Sequence, residues 1–185
     1  MSLESKGKIA AAFEQLLQKN SILKISVSDI TAASGLSRQT FYNNFIDVYD
    51  LVYWMHSEHI REVVEVFWKE DDFCQAFESA LRIMRAHGEF YTQVIRKEGV
   101  NSFQQLFCAR NIELSANRIC HVSGNENEVD ADARFMLELY WHGASQMVVN
   151  WIADGMRGDP AEHARLLYES LPQRLRPYWP NKPRR

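Results

Sequence analysis

Within seven positions, Arg38, Gln39, Thr40, Tyr42, Asn43 and Asn44 gather many hydrogen-bond donors and acceptors and almost no aliphatic surface. Those groups fit the edges and backbone of a DNA duplex. Arg pairs with guanine, Gln and Asn with adenine, Thr with a thymine methyl or a phosphate, and a Tyr hydroxyl with a phosphate oxygen. Phe41 sits among them and Phe45 follows four residues later, a spacing that puts both rings on one side of a helix. With the rings inward, the polar flank faces outward. The competing reading is an ordinary solvated face on a small helical domain.

The residues around this segment supply what is needed to position it. Ser26 and Asp29 form a capping-box pattern, so a helix begins at Val27. Ile30 and Ala33 give it an apolar side, and Gly35 offers the left-handed residue that ends a helix near Ser34. Leu36 fills the corner and Ser37 caps the second helix. In helix-turn-helix proteins the N-terminal part of that second helix enters the major groove, which is where Arg38, Gln39 and Thr40 fall. A platform precedes it: Ile9, Ala12, Phe13, Leu16 and Leu17 recur at helical spacing over Lys8 to Lys19, and their stripe is expected to pack on Ile30, Phe41 and Phe45. Asp47 then caps a long fourth helix to about Trp68, with Leu51, Trp54, Met55, Val63, Val66 and Phe67 as its apolar side.

Ile25 to Phe45, followed by Asp50-Leu51, resembles the DNA-binding signature of the TetR/AcrR family of transcriptional regulators. The likeness covers Gly7 to about His59 and includes Ser26-Val27-x-Asp29-Ile30, Ala33-x-Gly35-Leu36-Ser37 and Thr40-Phe41-Tyr42-x-x-Phe45. Tyr42-Asn43-Asn44-Phe45 with Tyr49 to Trp54 is similar to the subgroup containing dihydroxyacetone-kinase operon regulators. The resemblance implies an all-α fold of about nine helices: a homeodomain-like three-helix domain over residues 1–62, a helical ligand-binding and dimerisation domain over 63–178, and an irregular tail over 179–185. It implies a homodimer on a palindromic operator in double-stranded DNA, a repressor more than an activator, and control by a small-molecule effector. Gln39, Thr40, Tyr42 and Asn43 carry over as DNA contacts, with Ser28 and Arg38 beside them. The chain departs from the family where many members place a phosphate-binding Lys after the motif's last Phe; here Ile46-Asp47-Val48-Tyr49 stands there.

Charge tempers the nucleic-acid reading. Over residues 1–50, Lys6, Lys8, Lys19, Lys24 and Arg38 balance Glu4, Glu14, Asp29, Asp47 and Asp50. Phosphate neutralisation drives non-specific affinity, so a neutral domain must rely on shape, dimerisation and uncharged donors. From Arg174 onward the charges are all basic, which reads as a frayed terminus. The whole chain has 185 residues, net charge −3 and 46% hydrophobic residues, enough for a packed core. No 18-residue apolar run and no signal-peptide pattern is present, so no membrane partner and a cytoplasmic location are expected. Cys74, Cys108 and Cys120, odd in number and without CxxC spacing, read as reduced, mostly buried thiols.

Beyond a charged break at Lys69-Glu70-Asp71-Asp72 the periodicity stays helical. Phe73, Phe77, Ala80, Leu81 and Met84 form one stripe ending at His87-Gly88; Phe90, Tyr91, Val94 and Ile95 form a short one ended by Gly99. Phe103 to His121 forms a third, and Ser123 to Asn127 reads as a loop. Asp130 caps a helix to about Met156, and Asp159-Pro160 opens the last one. Phe135, Leu139, Gly143, Met147, Val148 and Trp151 follow four-residue steps, and the resemblance makes Gly143, Met147 and Trp151 dimer-interface candidates. Trp54, Phe90, Tyr91, Phe107, Arg110 and Tyr140 are the candidates for lining an effector pocket; a filled core uses the same residue types. His56, His59 and Glu62 recur at three-residue steps, but the third drifts by about 60° round the helix, which argues against a metal site. No nucleophile elbow, phosphate-cradling glycine loop or zinc-protease pattern occurs, so neither catalysis nor a cofactor is expected.

Overall fold

The computed structural model describes residues 3–70, 72–97, 99, 102–124 and 129–181, apart from the side chains of 66 and 68–70. Among them the chain is all-helical: α1 Leu3–Leu17, α2 Val27–Ser34, α3 Arg38–Tyr42, α4 Val48–Glu70, α5 Phe73–Ala86, α6 Gly88–Val94, α7 Phe103–Ser123, α8 Ala131–Ala153 and α9 Pro160–Glu169. Short 3-10 turns at Ile22–Lys24 and Arg176–Tyr178 complete it. The first helix starts five residues before the expected Lys8 and ends two residues short of Lys19. The start is polar and pairs Lys8 with Glu4 across one turn at 2.7 Å.

The N-terminal core is built from residues that the periodicity selects. Ile9, Phe13 and Leu17 of α1 meet Ile30 of α2, Phe41 of α3 and Phe45 just beyond it. Phe41 and Ile30 are fully buried. The α2 apolar side differs in one position: Ala33 is exposed and Thr31 is buried instead, its hydroxyl donating to the Ser28 carbonyl at 3.1 Å. Gly35 holds φ +68° with open space where a Cβ would be, so conformation rather than crowding selects glycine there.

α4 is the long element shared by both halves. Asp47 starts it, its carboxylate accepting the Tyr49 and Asp50 N–H groups at 2.8 Å each, while Asp50 accepts from Ile46 N–H at 2.9 Å. Leu51, Val52 and Met55 lie in one continuous apolar cluster with Phe45 at one end and with Tyr91, Phe103 and Ile152 at the other. A second cluster joins Phe73, Ile112, Leu137, Trp141 and Leu175. Expected helix ends shift by a few residues: α7 runs to Ser123 before Gly124 at φ +67°, and α8 stops at Ala153 rather than near Met156. The residues from Asn125 to Asn127 of the expected loop, Asp71 of the charged break and Lys182 to Arg185 lie outside the described residues.

The basic C-terminal segment corrects an expectation. Fraying was expected from Arg174, yet Leu175 and Trp179 are buried and Phe73 N–H donates to the Pro180 carbonyl at 3.1 Å. Arg174 meets Asp130 at 2.9 Å and Asp132 at 3.0 Å at the start of α8, and Arg176 donates to carbonyls near the end of α9. The arginines find their acids and carbonyls only in three dimensions, which a count of local charge misses.

Replacing Phe41 with Ala is expected to cost about 3–5 kcal/mol, as for other fully buried rings. Gly35→Ala should cost only about 1 kcal/mol, the penalty of a left-handed conformation without a clash. Denaturant unfolding of both variants checks the order.

Candidate nucleic-acid interface

The interface is assembled from two capped helices. Ser26 Oγ accepts the Asp29 N–H at 3.3 Å while the Asp29 carboxylate takes the Ser26 N–H at 2.8 Å and its hydroxyl at 2.6 Å. Those bonds from Ser26 hold the Asp29 carboxyl below the usual range. Ser37 Oγ accepts the Thr40 N–H at 3.0 Å and opens α3. Helical bonds run on past Tyr42, Phe45 N–H reaching the Phe41 carbonyl at 2.9 Å, so Phe45 keeps the phase of Phe41. The two rings lie 5.8 Å apart.

Inward rings leave Arg38, Gln39, Tyr42 and Asn43 exposed, with Thr40 and Ser28 half-buried beside them. Arg38 donates to the Ser28 hydroxyl, tying the two helices' polar sides into one surface. Gln39 Nε2 donates to Asn43 Oδ1 at 2.9 Å, leaving the Asn43 amide and the Gln39 carbonyl as unlike, adjacent groups. Tyr42 stands edge-on to Phe41 at 5.6 Å, and the residue is 56% exposed. Asn44 departs from the expected set: its Nδ2 donates to the Thr40 carbonyl at 2.7 Å and its Oδ1 is buried. The end of a five-residue helix turns it back on the last carbonyls. At the position of the missing lysine, Val48 is buried and Ile46 is 82% exposed. Both acids there, Asp47 and Asp50, serve the α4 N-terminus.

Of the predicted pocket residues, Phe107 and Arg110 border one surface groove of about 220 Å³ between α4 and α7, and the other four lie apart from it. Trp54 packs on Phe45 at 5.7 Å in the N-terminal core, and Phe90 and Tyr91 surround His56 and His59. Arg110 is exposed and paired with Glu113 at 2.8 Å, and Tyr140 donates to the Leu167 carbonyl at 2.8 Å. Only Phe107 among the six reaches the apolar cavity of about 110 Å³ that lies between α4, α5, α7 and α8. Phe73, Ala76, Phe77 and Ala80 of α5 and Trp179 of the C-terminal segment also line it. The α5 stripe was visible in the sequence, but periodicity cannot separate a cavity wall from a filled core; Trp179 carried no local signal.

The four-step stripe on α8 divides. Phe135, Leu139 and Met147 are 67%, 66% and 55% exposed, with Gly143 between them and Leu166 of α9 at 48%. Val148 and Trp151 are buried, and Trp151 donates its indole N–H to the Arg157 carbonyl at 2.7 Å. Trp151 is therefore an interior residue, because each four-residue step advances about 40° round a helix of 3.6 residues per turn.

His56 and His59 both point at the Tyr91 hydroxyl, at 2.9 and 3.3 Å, and the His59 ring stacks on His87 at 3.9 Å. Glu62 is exposed, and no group of three His, Cys, Asp or Glu among the described residues could hold a metal ion. Cys108 is buried, while Cys74 and Cys120 are half-buried. No described helix is long and apolar enough to cross a membrane.

Two capped helices around a glycine corner, continued into a bundle of longer helices, define an all-helical regulator fold. Residues 71–173 match the TetR-type model described as a transcriptional regulator C-terminal region. A 56-residue stretch is 41% identical to the HTH-type dhaKLM operon transcriptional activator DhaS of Lactococcus lactis subsp. lactis (strain IL1403), and the match spans 30% of each protein. Over the whole fold, the dihydroxyacetone kinase operon activator DhaS superposes with TM-score 0.62 at 19% identity, covering 97% of this chain and all of that one. The TetR family repressor AlkX from Dietzia sp. strain DQ12-45-1b superposes with TM-score 0.56 at 17% identity, covering 94% and 97%. The fatty acid degradation regulator FadR from Bacillus halodurans also gives 0.56, at 16% identity and 92% and 96% coverage. The chain belongs to the TetR family of transcriptional regulators.

Burial, with the neighbouring His59, pushes His56 down to about 3, and burial with His87 pushes His59 to about 4. Unfolded, both take protons near 6.5. The unfolded chain therefore binds more protons below that pH, and stability present above it falls as the solution is acidified. His56 alone should cost about 2 kcal/mol between pH 6.5 and 5, at about 1.4 kcal/mol per pH unit. Urea unfolding at both pH values should show the loss, and His56→Gln should shrink it.

Proposed function

We propose that the protein is a sequence-specific DNA-binding repressor that acts as a homodimer on a palindromic operator and is released by a small molecule. The observation that carries DNA binding is the exposed polar face of α3, held outward because Phe41 and Phe45 are buried. Gln39, Tyr42 and Asn43 read base edges and phosphates, Thr40 and Ser28 approach the backbone, and Arg38, steadied by Ser28, reaches guanine or phosphate. Residues 1–62 form the DNA-binding part and 63–178 the effector and dimerisation part, with α4 running through the boundary.

The exposed line Phe135, Leu139 and Met147, flanking Gly143 and neighbouring Leu166, supports association of two copies through α8 and α9. A contiguous apolar patch of this kind is costly in water and is relieved by a self-complementary partner. Two recognition helices must then meet half-sites about one DNA turn apart, ~34 Å, and a displaced α4 changes that spacing. The cavity bordered by α4 supports the effector reading.

AlkX is a repressor, which supports repression here. The stretch resembling DhaS, a transcriptional activator, supports the opposite sign. Transcription in vitro from the recovered operator, with and without protein, separates the two.

Selection of genomic fragments by the purified protein should enrich a palindrome. Tyr42→Ala with Asn43→Ala should weaken binding to it by roughly a hundredfold or more, with helicity retained. If no palindrome is enriched, the reading as a helical interaction protein that kept the helix-turn-helix shape replaces this one. Leu139→Glu should convert the dimer to a monomer in sedimentation.

A further inference from the structure

We propose that the cavity between α4, α5, α7 and α8 takes a small uncharged apolar molecule of the size of one substituted benzene ring. This deepens the effector reading above and rests on it for the consequence, though not for the binding itself.

Size comes first. The cavity measures about 110 Å³, and an apolar cavity of ~150 Å³ in another protein stays dry and binds benzene. Rings contribute to its wall, Phe67, Phe73, Phe77 and Phe107 with Trp141 and Trp179, and aliphatic side chains fill most of the remainder. Phe73 stacks on Phe77 at 5.4 Å, and Phe77 lies near-parallel to Trp141 at 6.2 Å. Such a surround offers faces and edges at the separations aromatic pairs prefer, which favours a flat ligand.

Polarity decides the class. Asn111, Ser115 and Arg118 are the polar side chains at the wall other than the two indoles, and each makes a bond to the protein itself. Asn111 Nδ2 donates to the Phe107 carbonyl at 2.8 Å, and the Ser115 hydroxyl accepts the Trp141 indole N–H at 2.8 Å. Arg118 is buried, donates its Nε–H to the Tyr178 carbonyl and lays its guanidinium on Phe67, 4.6 Å from the ring centroid. Arg118 thus holds the C-terminal turn that carries Trp179 against the cavity. A carboxylate or polyol entering here would leave water for a wall made mostly of aromatic and aliphatic side chains, a desolvation cost that an apolar molecule avoids.

Access and consequence follow from neighbouring geometry. A surface groove of about 220 Å³ between α4 and α7 adjoins the cavity, sharing Ile60, Val64, Phe107, Asn111 and Leu114 with it. Ile60, Val63, Val64 and Phe67 present one side of α4 to the ligand, and the same helix begins at Val48, three residues past Phe45. A molecule that fills the space biases the position of α4, and through it the recognition helix, by as much as it prefers one placement over another.

The test uses the full chain and toluene, with benzoate and glycerol as charged and polar probes of similar size. Toluene at millimolar concentration should raise the Tm by about 3 °C and saturably change tryptophan fluorescence, since Trp141 and Trp179 line the site. Benzoate and glycerol should do neither. Ala80→Leu and, separately, Ala76→Leu fill the cavity and should abolish the toluene response in protein that keeps its helical circular dichroism. No response to toluene, an equal response to benzoate, or a response that survives both folded variants overturns the proposal. If the preparation selects a palindrome yet ignores toluene, the cavity assignment fails and the regulator stands. If toluene binds at the cavity and no palindrome is found, the assignment stands and the regulatory reading fails.

Discussion

The burial of Phe41 and Phe45 against α1 and α4 is the constraint on which the molecule's architecture depends. A five-residue helix forms few internal hydrogen bonds and would not persist in water on its own. α3 exists because Ser37 caps it and because two rings leave water beneath it, with Ile9, Phe13 and Ile30 closing around them. The same two contacts fix the rotation of the helix, so Gln39, Tyr42 and Asn43 point out together. A rotation of one residue, about 100°, would place the rings in solvent and polar groups in the core.

α4 carries that constraint into the rest of the chain. Its N-terminus is fastened by Asp47 and Asp50, its first turns pack on Phe45, and its middle meets Tyr91, Phe103 and Phe107 around the buried His56. His56 and His59 share one tyrosine hydroxyl in an apolar setting, which keeps both neutral and rigid at ordinary pH. Further along, the helix gives one side to the apolar cavity. One helix therefore packs on the buried anchor beneath α3 at Phe45 and borders the cavity with Phe67.

Local chemistry was legible wherever one short segment decides the outcome. Ser26 with Asp29, Gly35, Ser37, Asp47, Asp130 and Asp159 all cap or terminate the helices their identities indicate, because capping depends on groups within three or four residues. The Phe41/Phe45 anchor was legible for the same reason. Placement across elements was not. Trp54, Tyr91 and Tyr140 have the composition of pocket residues but serve the core, whereas Phe77 and Trp179 border open space. Trp151 follows Met147 by the same step as Met147 follows Gly143, yet accumulated helical drift carries it inside.

What the sequence determined by itself was the helical alphabet, the corner at Gly35 and the outward polar set on α3, since each follows from hydrogen bonds and steric limits inside a few residues. Only the tertiary structure decided which aromatic rings leave a cavity between them, that Asn44 turns back, and that Arg174 and Trp179 bind the terminus to the bundle. Those outcomes depend on how volumes from distant helices add, and no periodicity along one chain segment contains that sum.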